Sequence, residues 1–192
     1  LFRIRAISSF GNVKKGDEGC YIASEKNLSQ EGNAWVSGNA CVYGDARVYG
    51  NARVYDNAQV FGNAQVFGNA WVSGNAQVSG DAQVYGDAWV YGDAHVYGDA
   101  HVYGIALVSG NALVFGNARV YGSASDSPIC IGGSKWNITI ADESIVIGCQ
   151  AHSTDAWSKF TDEEISDMAD GALAWWKEWK VLVLGIALEH QK

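Results

Sequence analysis

Valine returns every sixth residue, without a slip, from Val36 to Val120. Fifteen hexapeptides of the form Ala-x-Val-(Tyr/Phe/Ser)-Gly-(Asn/Asp) follow one another from Ala34 with no insertion, and the pattern fades after Gly122. A unit this short cannot bury an apolar face by itself. Stacking on its neighbours is its route to a core, so the repeat dictates a solenoid. Within one unit Ala34 and Val36 lie two residues apart and share one side of an extended strand, while Trp35 and Ser37 take the other. Gly38 and Asn39 are residue types that tolerate positive φ, and they supply the bend. Each hexapeptide therefore reads as one short strand and one corner.

At 192 residues the chain suits a single elongated domain with caps. Its formal charge of -8 argues against a general nucleic-acid binder, which would need a basic footprint. The cysteines Cys20, Cys41, Cys130 and Cys149 have no framework spacing and no CxxC pair, which points to free thiols in a reducing compartment. No secretory leader is legible. The longest apolar run, Val181 to Leu188, is too short to span a bilayer. We therefore expect a cytoplasmic protein of a bacterial host, with no membrane partner.

Residues 1–26 lack the repeat, and a solenoid needs its open end covered, so they are expected to form an N-terminal cap. Residues 27–126 form the repeat body, opening on the degenerate unit Asn27 to Gly32. In 127–150 the isoleucines Ile129, Ile131, Ile138, Ile140, Ile145 and Ile147 alternate in short bursts, which predicts a few irregular coils closing the end. Residues 151–192 read as a helical tail. Thr161-Asp162-Glu163-Glu164 is a capping box, and Ile165, Met168, Ala172, Leu173, Trp176 and Trp179 follow at helical spacing. A shorter helix is expected over 155–160.

The unit Val84-Tyr85-Gly86-Asp87-Ala88-Trp89, with valine first and alanine fifth, resembles the hexapeptide-repeat proteins. That resemblance implies an all-β solenoid, a left-handed parallel β-helix shaped as a triangular prism with 18 residues per coil, here followed by a C-terminal α-helical tail. Three units per coil turn the sequence into columns. One face carries Trp35, Arg53, Trp71, Trp89 and Leu107. A second carries Cys41, Gln59, Gln77, His95 and Leu113. The third carries Arg47, Gln65, Gln83, His101 and Arg119, beside the aromatic stripe Tyr49, Phe67, Tyr85, Tyr103 and Tyr121.

Aromatics that the core does not need either stabilise one another by stacking or form a contact surface, where Trp, Tyr and Arg are enriched. The expected partner-binding residues are Trp35, Arg53, Trp71, Trp89 and Tyr91. Ile105 replaces the usual Asn or Asp, and Leu107 and Leu113 replace polar residues. Together with Trp175, Trp176 and Trp179 of the tail they are the expected self-association surface, giving a trimer or a dimer. The corner column Asp45, Asn63, Asp81, Asp99 and Asn117 is read as a set of residues tolerant of left-handed backbone.

Many proteins of the resembled fold are trimeric acyltransferases with coenzyme A bound between subunits and a histidine base on a projecting loop. No loop interrupts this repeat. His95 and His101 lie within units, without an evident carboxylate partner or pocket. They point in different directions, so no shared metal is expected of them. Cys149 and His152 read as a hinge rather than a nucleophile and base. No catalytic residue, metal or cofactor is assigned.

A narrower resemblance is to hexapeptide-repeat proteins of phages, prophages and bacterial genomes. It rests on Leu28 to Gly32, on the Val-Tyr-Gly-Asp-Ala units, and on Ile131, Gly132 and Gly133 with Trp136. Gly148, Cys149 and Gln150 with His152, Trp157 and Phe160 before the Trp-rich helix complete it. It implies a non-catalytic interaction protein that binds and inhibits a host factor such as a defence component. The alternatives are the acyltransferase above or a sequestering protein for a small nucleotide.

Overall fold

The computed structural model describes residues 1–132 and 134–191; Gly133 of the Ile131-Gly132-Gly133 stretch lies outside the described residues. The repeat forms a parallel β-solenoid. Each hexapeptide contributes one two-residue strand, such as Trp71–Val72, Gln77–Val78 and Gln83–Val84. Three parallel sheets run along the axis. In them Trp71 sits beside Arg53 and Trp89, Gln77 beside Gln59 and His95, and Gln83 beside Gln65 and His101. The coil is therefore 18 residues, as the three-unit reading requires.

The core is the repeat's own valine and alanine. Val36 to Val114 and Ala40 to Ala106 are almost wholly excluded from solvent in every unit. Backbone donors on one coil meet acceptors on the next, as where Trp71 N–H donates to the Ala88 carbonyl at 2.8 Å. Identical residues thus meet identical neighbours, and each coil repeats the same satisfied geometry.

The corners correct one expectation. Glycine alone carries the left-handed backbone there, with φ +70° at Gly62 and +68° at Gly80. Among the described residues the only non-glycine with positive φ is Asp56, which stands where the other units have glycine. At Gly80 a Cβ would lie 2.9 Å from the Gly98 nitrogen, so both backbone conformation and coil-to-coil approach demand glycine. The Asn and Asp that follow do a different job. Asn33 donates to Asn51, Asn51 to Asn69 and Asn69 to Asp87, each at 2.9 Å. A second ladder runs Asn39 to Asn57 to Asn75 to Asp93. An amide both donates and accepts, so asparagine propagates the ladder and aspartate ends it.

The first turn of the solenoid is less regular. A hairpin of Phe2–Arg5 and Glu18–Ile22 is antiparallel, and its second strand then pairs parallel to Cys41–Val42. The N-terminal segment therefore joins a sheet as well as covering it. Buried Asn27 supports the first corner: its amide donates to the carbonyls of Gly44 and Ala46, and its oxygen accepts from Ser24 N–H.

The far end is not a continuation of the prism. Ile129–Ile131, Ile138–Ile140, Ser144–Ile147 and Gln150–Ser153 form a separate four-stranded antiparallel sheet. Three helices pack on it: α1 (Thr154–Lys159), α2 (Asp162–Met168) and α3 (Ala172–His190). The capping box opens α2, with Thr161 Oγ1 accepting from Glu164 N–H and Glu164 accepting from Thr161 N–H. The expected single helix is broken before α3, where Gly171 adopts φ +74°. This lobe meets the solenoid through Thr139, which accepts from Arg119 N–H, and Asp142, which bonds Ser123 and Ser125. No described helix is long and apolar enough to cross a membrane.

Candidate interaction surface

The structure divides the first column. Trp35 is buried under the N-terminal segment, edge-on to Phe10 with ring centroids 5.7 Å apart. Arg53 donates to Asn12 at 2.9 Å, and its burial lowers the guanidinium's pKa. Both residues are therefore engaged within the chain, and neither is part of a free contact face. Sequence periodicity gave no sign of this, because the covering residues lie outside the repeat.

Trp71 and Trp89 stand on the same wall and are exposed. Their indoles stack at 4.8 Å with an interplanar angle of 1°, and Tyr55 meets Trp71 edge-on. Stacking runs along the solenoid axis, so the two indoles cover one face of each other. Tyr91 is exposed on the same wall. Leu107 extends the column, and Ile105 projects from the adjoining corner at 66% exposure. Asp87 and Asp93 occupy the corners on either side of Trp89 and are exposed. The result is an aromatic and aliphatic strip with an acidic rim.

The exposed large apolar side chains of the repeat all lie between Trp71 and Tyr121. In the earlier coils the rings are half-buried and tied down. Tyr43 and Tyr49 donate to Gln59 and Gln65, and both rings stack on the phenylalanine of the next coil. The stripe on the third face starts well ordered, Tyr49 on Phe67 at 4.8 Å. It ends tilted, Tyr103 to Tyr121 at 57°. The Leu113 end of the second face carries Tyr97 and Phe115, stacked and exposed.

The tail does not cover this region. Trp175 and Trp176 are buried in the lobe's own core with Trp157, Ile138 and Ile145, and Trp179 packs partly against it. Trp175 and Trp176 are therefore core residues of the lobe, which corrects the expectation that they supply an intermolecular surface, while Trp179 is half-buried at the edge of that core. Helix α3 instead exposes Val181, Leu182 and Leu188.

Of the candidate chemical groups, His101 lies edge-on to Tyr85. Burial first, and then the Arg119 charge, push its pKa down, with Asp99 opposing. Among the described residues neither His95 nor His101 hydrogen-bonds a carboxylate, and no cluster of three or more His, Cys, Asp or Glu could hold a metal. His152 is paired with Ile145 in the sheet, its ring wedged between Trp157 and Phe160, and no hydrogen bond joins it to Cys149. All four cysteines are free.

Comparison with known proteins agrees with this geometry. The repeat described as the YdcK beta solenoid repeat matches residues 46–62, 58–74, 64–80, 76–92, 82–98 and 106–122. The chain is a β-solenoid repeat protein. Every match falls within the stacked coils and none reaches the antiparallel lobe, so the similarity concerns the scaffold. No curated protein matches the chain. A solenoid scaffold carries no activity of its own, and function has to be argued from the surface.

Proposed function

We propose that this β-solenoid is a phage- or prophage-encoded, non-catalytic interaction protein that binds and blocks a host protein through the wall bearing Trp71, Trp89, Tyr91 and Leu107. The observation that carries the reading is the exposed Trp71–Trp89 stack between the acidic corners Asp87 and Asp93. Exposed tryptophan and tyrosine on a rigid framework bury a large area at little entropic cost, which is how binding hot spots are built. A scaffold held by backbone ladders along its whole length keeps that strip in a fixed shape. The acidic rim favours a partner whose apolar centre is surrounded by lysine or arginine, with the charges contributing orientation and association rate.

The test is affinity capture with the wild-type chain and with the double variant Trp71→Ser/Trp89→Ser, alongside Tyr43→Ser on a different wall as control. A partner lost only with the double variant, and captured less well at high salt, supports the reading. A partner retained by the double variant removes this wall from consideration. Sedimentation of the same proteins separates capture of a second copy of this chain from capture of another protein.

A further inference from the structure

From Val181 to Leu188 helix α3 carries no polar side chain. A helix that is apolar all round is a buried helix, yet among the described residues only one side of this stretch is covered. Val183 and Ala187 are fully buried in the lobe's core. The opposite side carries Val181, Leu182, Gly185 and Leu188, and its three side chains are 83%, 52% and 61% exposed. Gly185 stands at the centre of this face, with Leu182 three residues before it and Leu188 three residues after it. A glycine inside a helix weakens it relative to alanine. Here the backbone is not left-handed, and nothing lies within 4 Å of where a Cβ would stand. Neither conformation nor packing within the chain calls for glycine at this point. What remains is a notch between two leucines, beside a shallow apolar groove with Ile129 and Ile186 in its wall.

We propose that this face of α3 is a self-association site, on which a second copy of the chain lays its own α3 antiparallel, the two glycines meeting at a twofold axis. The pattern itself argues for a second copy. A twofold contact sets residue i against residue j and j against i. With the axis at Gly185, Leu182 of each copy meets Leu188 of the other, because the two leucines are equally spaced about the glycine. The missing side chain lets the two backbones approach closely, so that each leucine enters the groove of the facing helix. Lys177 and Glu178 at one end of the face and Glu189 at the other are exposed, which gives the contact a polar rim. Four residues from each copy bury far less than a standard interface, so the association is weak and depends on concentration. The site lies in the lobe and does not rest on the solenoid wall proposed to bind a host protein.

The test is sedimentation velocity of the full chain over a range of concentration, and a reversible monomer–dimer equilibrium is the expected result. Gly185→Leu places a side chain in open space within the monomer and should raise the dimer Kd at least about tenfold. Where the wild type is diluted to monomer, the melting temperature of this variant should match or exceed it, which separates lost association from lost fold. Leu182→Glu and Leu188→Lys should each weaken the dimer, and the double variant should regain it, since the antiparallel crossing sets the two new charges opposite one another. A chain that stays monomeric at the highest concentration overturns the proposal, as does a dimer indifferent to Gly185→Leu or a double variant no better than the single ones. A dimer lost instead with Trp71→Ser/Trp89→Ser places self-association on the solenoid wall and overturns it too. So does binding of the monomer to phosphatidylcholine vesicles that Leu182→Glu abolishes, which would assign the face to a membrane surface.

Discussion

The solenoid and the C-terminal lobe satisfy their interiors by different means. In the coils the buried groups are valine, alanine and backbone; strand donors such as Trp71 N–H find acceptors one coil away, and alanine N–H groups such as that of Ala58 bond back across their own corner. Even the one fully buried polar side chain there among the described residues, Asn27, makes four hydrogen bonds. In the lobe the interior is tryptophan and isoleucine on an antiparallel sheet. Among the described residues the buried side-chain atoms without a partner all fall between Ser144 and His190. Repetition explains the contrast. A unit that satisfies itself against one copy satisfies itself against every copy, whereas a packing arrangement that occurs once must solve each polar group separately.

The largest effect expected is from Val84→Asp. Val84 is fully buried between Val66 and Val102, and an aspartate there has no partner in the valine column. A loss of at least about 4 kcal/mol is expected. Because coils contact only their neighbours, the β-sheet signal in far-ultraviolet dichroism should fall with temperature well before the near-ultraviolet signal. Five of the eight tryptophans lie in the lobe, so that second signal reports mainly on it. Coincident loss of both would show that the two regions fold as one unit.

Gly80→Ala should cost about 1–3 kcal/mol for the left-handed backbone, with an added clash against Gly98. Asp56 sharpens this. It occupies the same corner position with φ 59° and accepts from Gly74 N–H at 3.2 Å. Aspartate tolerates the left-handed region better than alanine, so Asp56→Ala should be more damaging than Asp56→Gly in chemical denaturation. Equal effects would mean that the hydrogen bond, not the backbone, decides this corner.

In the lobe, the comparison is between two tryptophans of one core. Trp157→Phe leaves the buried Ile145 carbonyl without its donor, whereas Trp175→Phe removes an N–H that had no partner. Both lose ring volume. The first should therefore be the more destabilising by about 1–3 kcal/mol. Equal costs would mean that the Trp175 indole finds a hydrogen-bond partner in solution.

These differences track what the sequence made legible. The strict six-residue return of valine specified the strand and the corner, and the resemblance to hexapeptide-repeat proteins supplied three units per coil; the two together give the 18-residue register and the common wall of Trp71 and Trp89, since residues at fixed separation in a periodic fold have fixed neighbours. It did not show that Phe10 and Asn12 occupy Trp35 and Arg53, because those contacts cross from a non-repeating segment. Nor did isoleucine alternation over 129–147 distinguish further coils from an antiparallel meander, since both alternate with period two. The exposed Trp71–Trp89 strip could be read from columns; the tryptophan core of the lobe could not, as it depends on how a single set of helices lies on a single sheet. The asparagine ladder was half-visible. Its spacing was plain, but the direction of donation from Asn69 to Asp87 needed the side-chain geometry.

That ladder gives a smaller prediction. Asn69→Asp replaces a donor with a carboxylate facing Asp87, so an N–H bond is exchanged for like-charge repulsion at strand spacing. At neutral pH this should cost about 1 kcal/mol, and the penalty should shrink as the pH is lowered through the carboxylate range near 4. A penalty independent of pH would mean that the lost amide donor, and not charge, is the cause.

The smallest effect separates titration on the third wall from everything else in the molecule. Burial, and then Arg119, hold His101 below its ordinary pKa. Above about pH 6.5 the imidazole is neutral in both folded and unfolded chains and contributes no pH dependence. As the pH falls below that, the unfolded chain takes up its proton first, so it binds more protons than the folded chain and stability declines. The decline ends once the pH passes the folded value, where both states are charged. His101→Gln should therefore flatten the stability profile below about pH 6.5. Arg119→Gln, which relieves the second cause while leaving burial, should flatten it only in part. A profile unchanged by His101→Gln would place the acid sensitivity elsewhere in the chain.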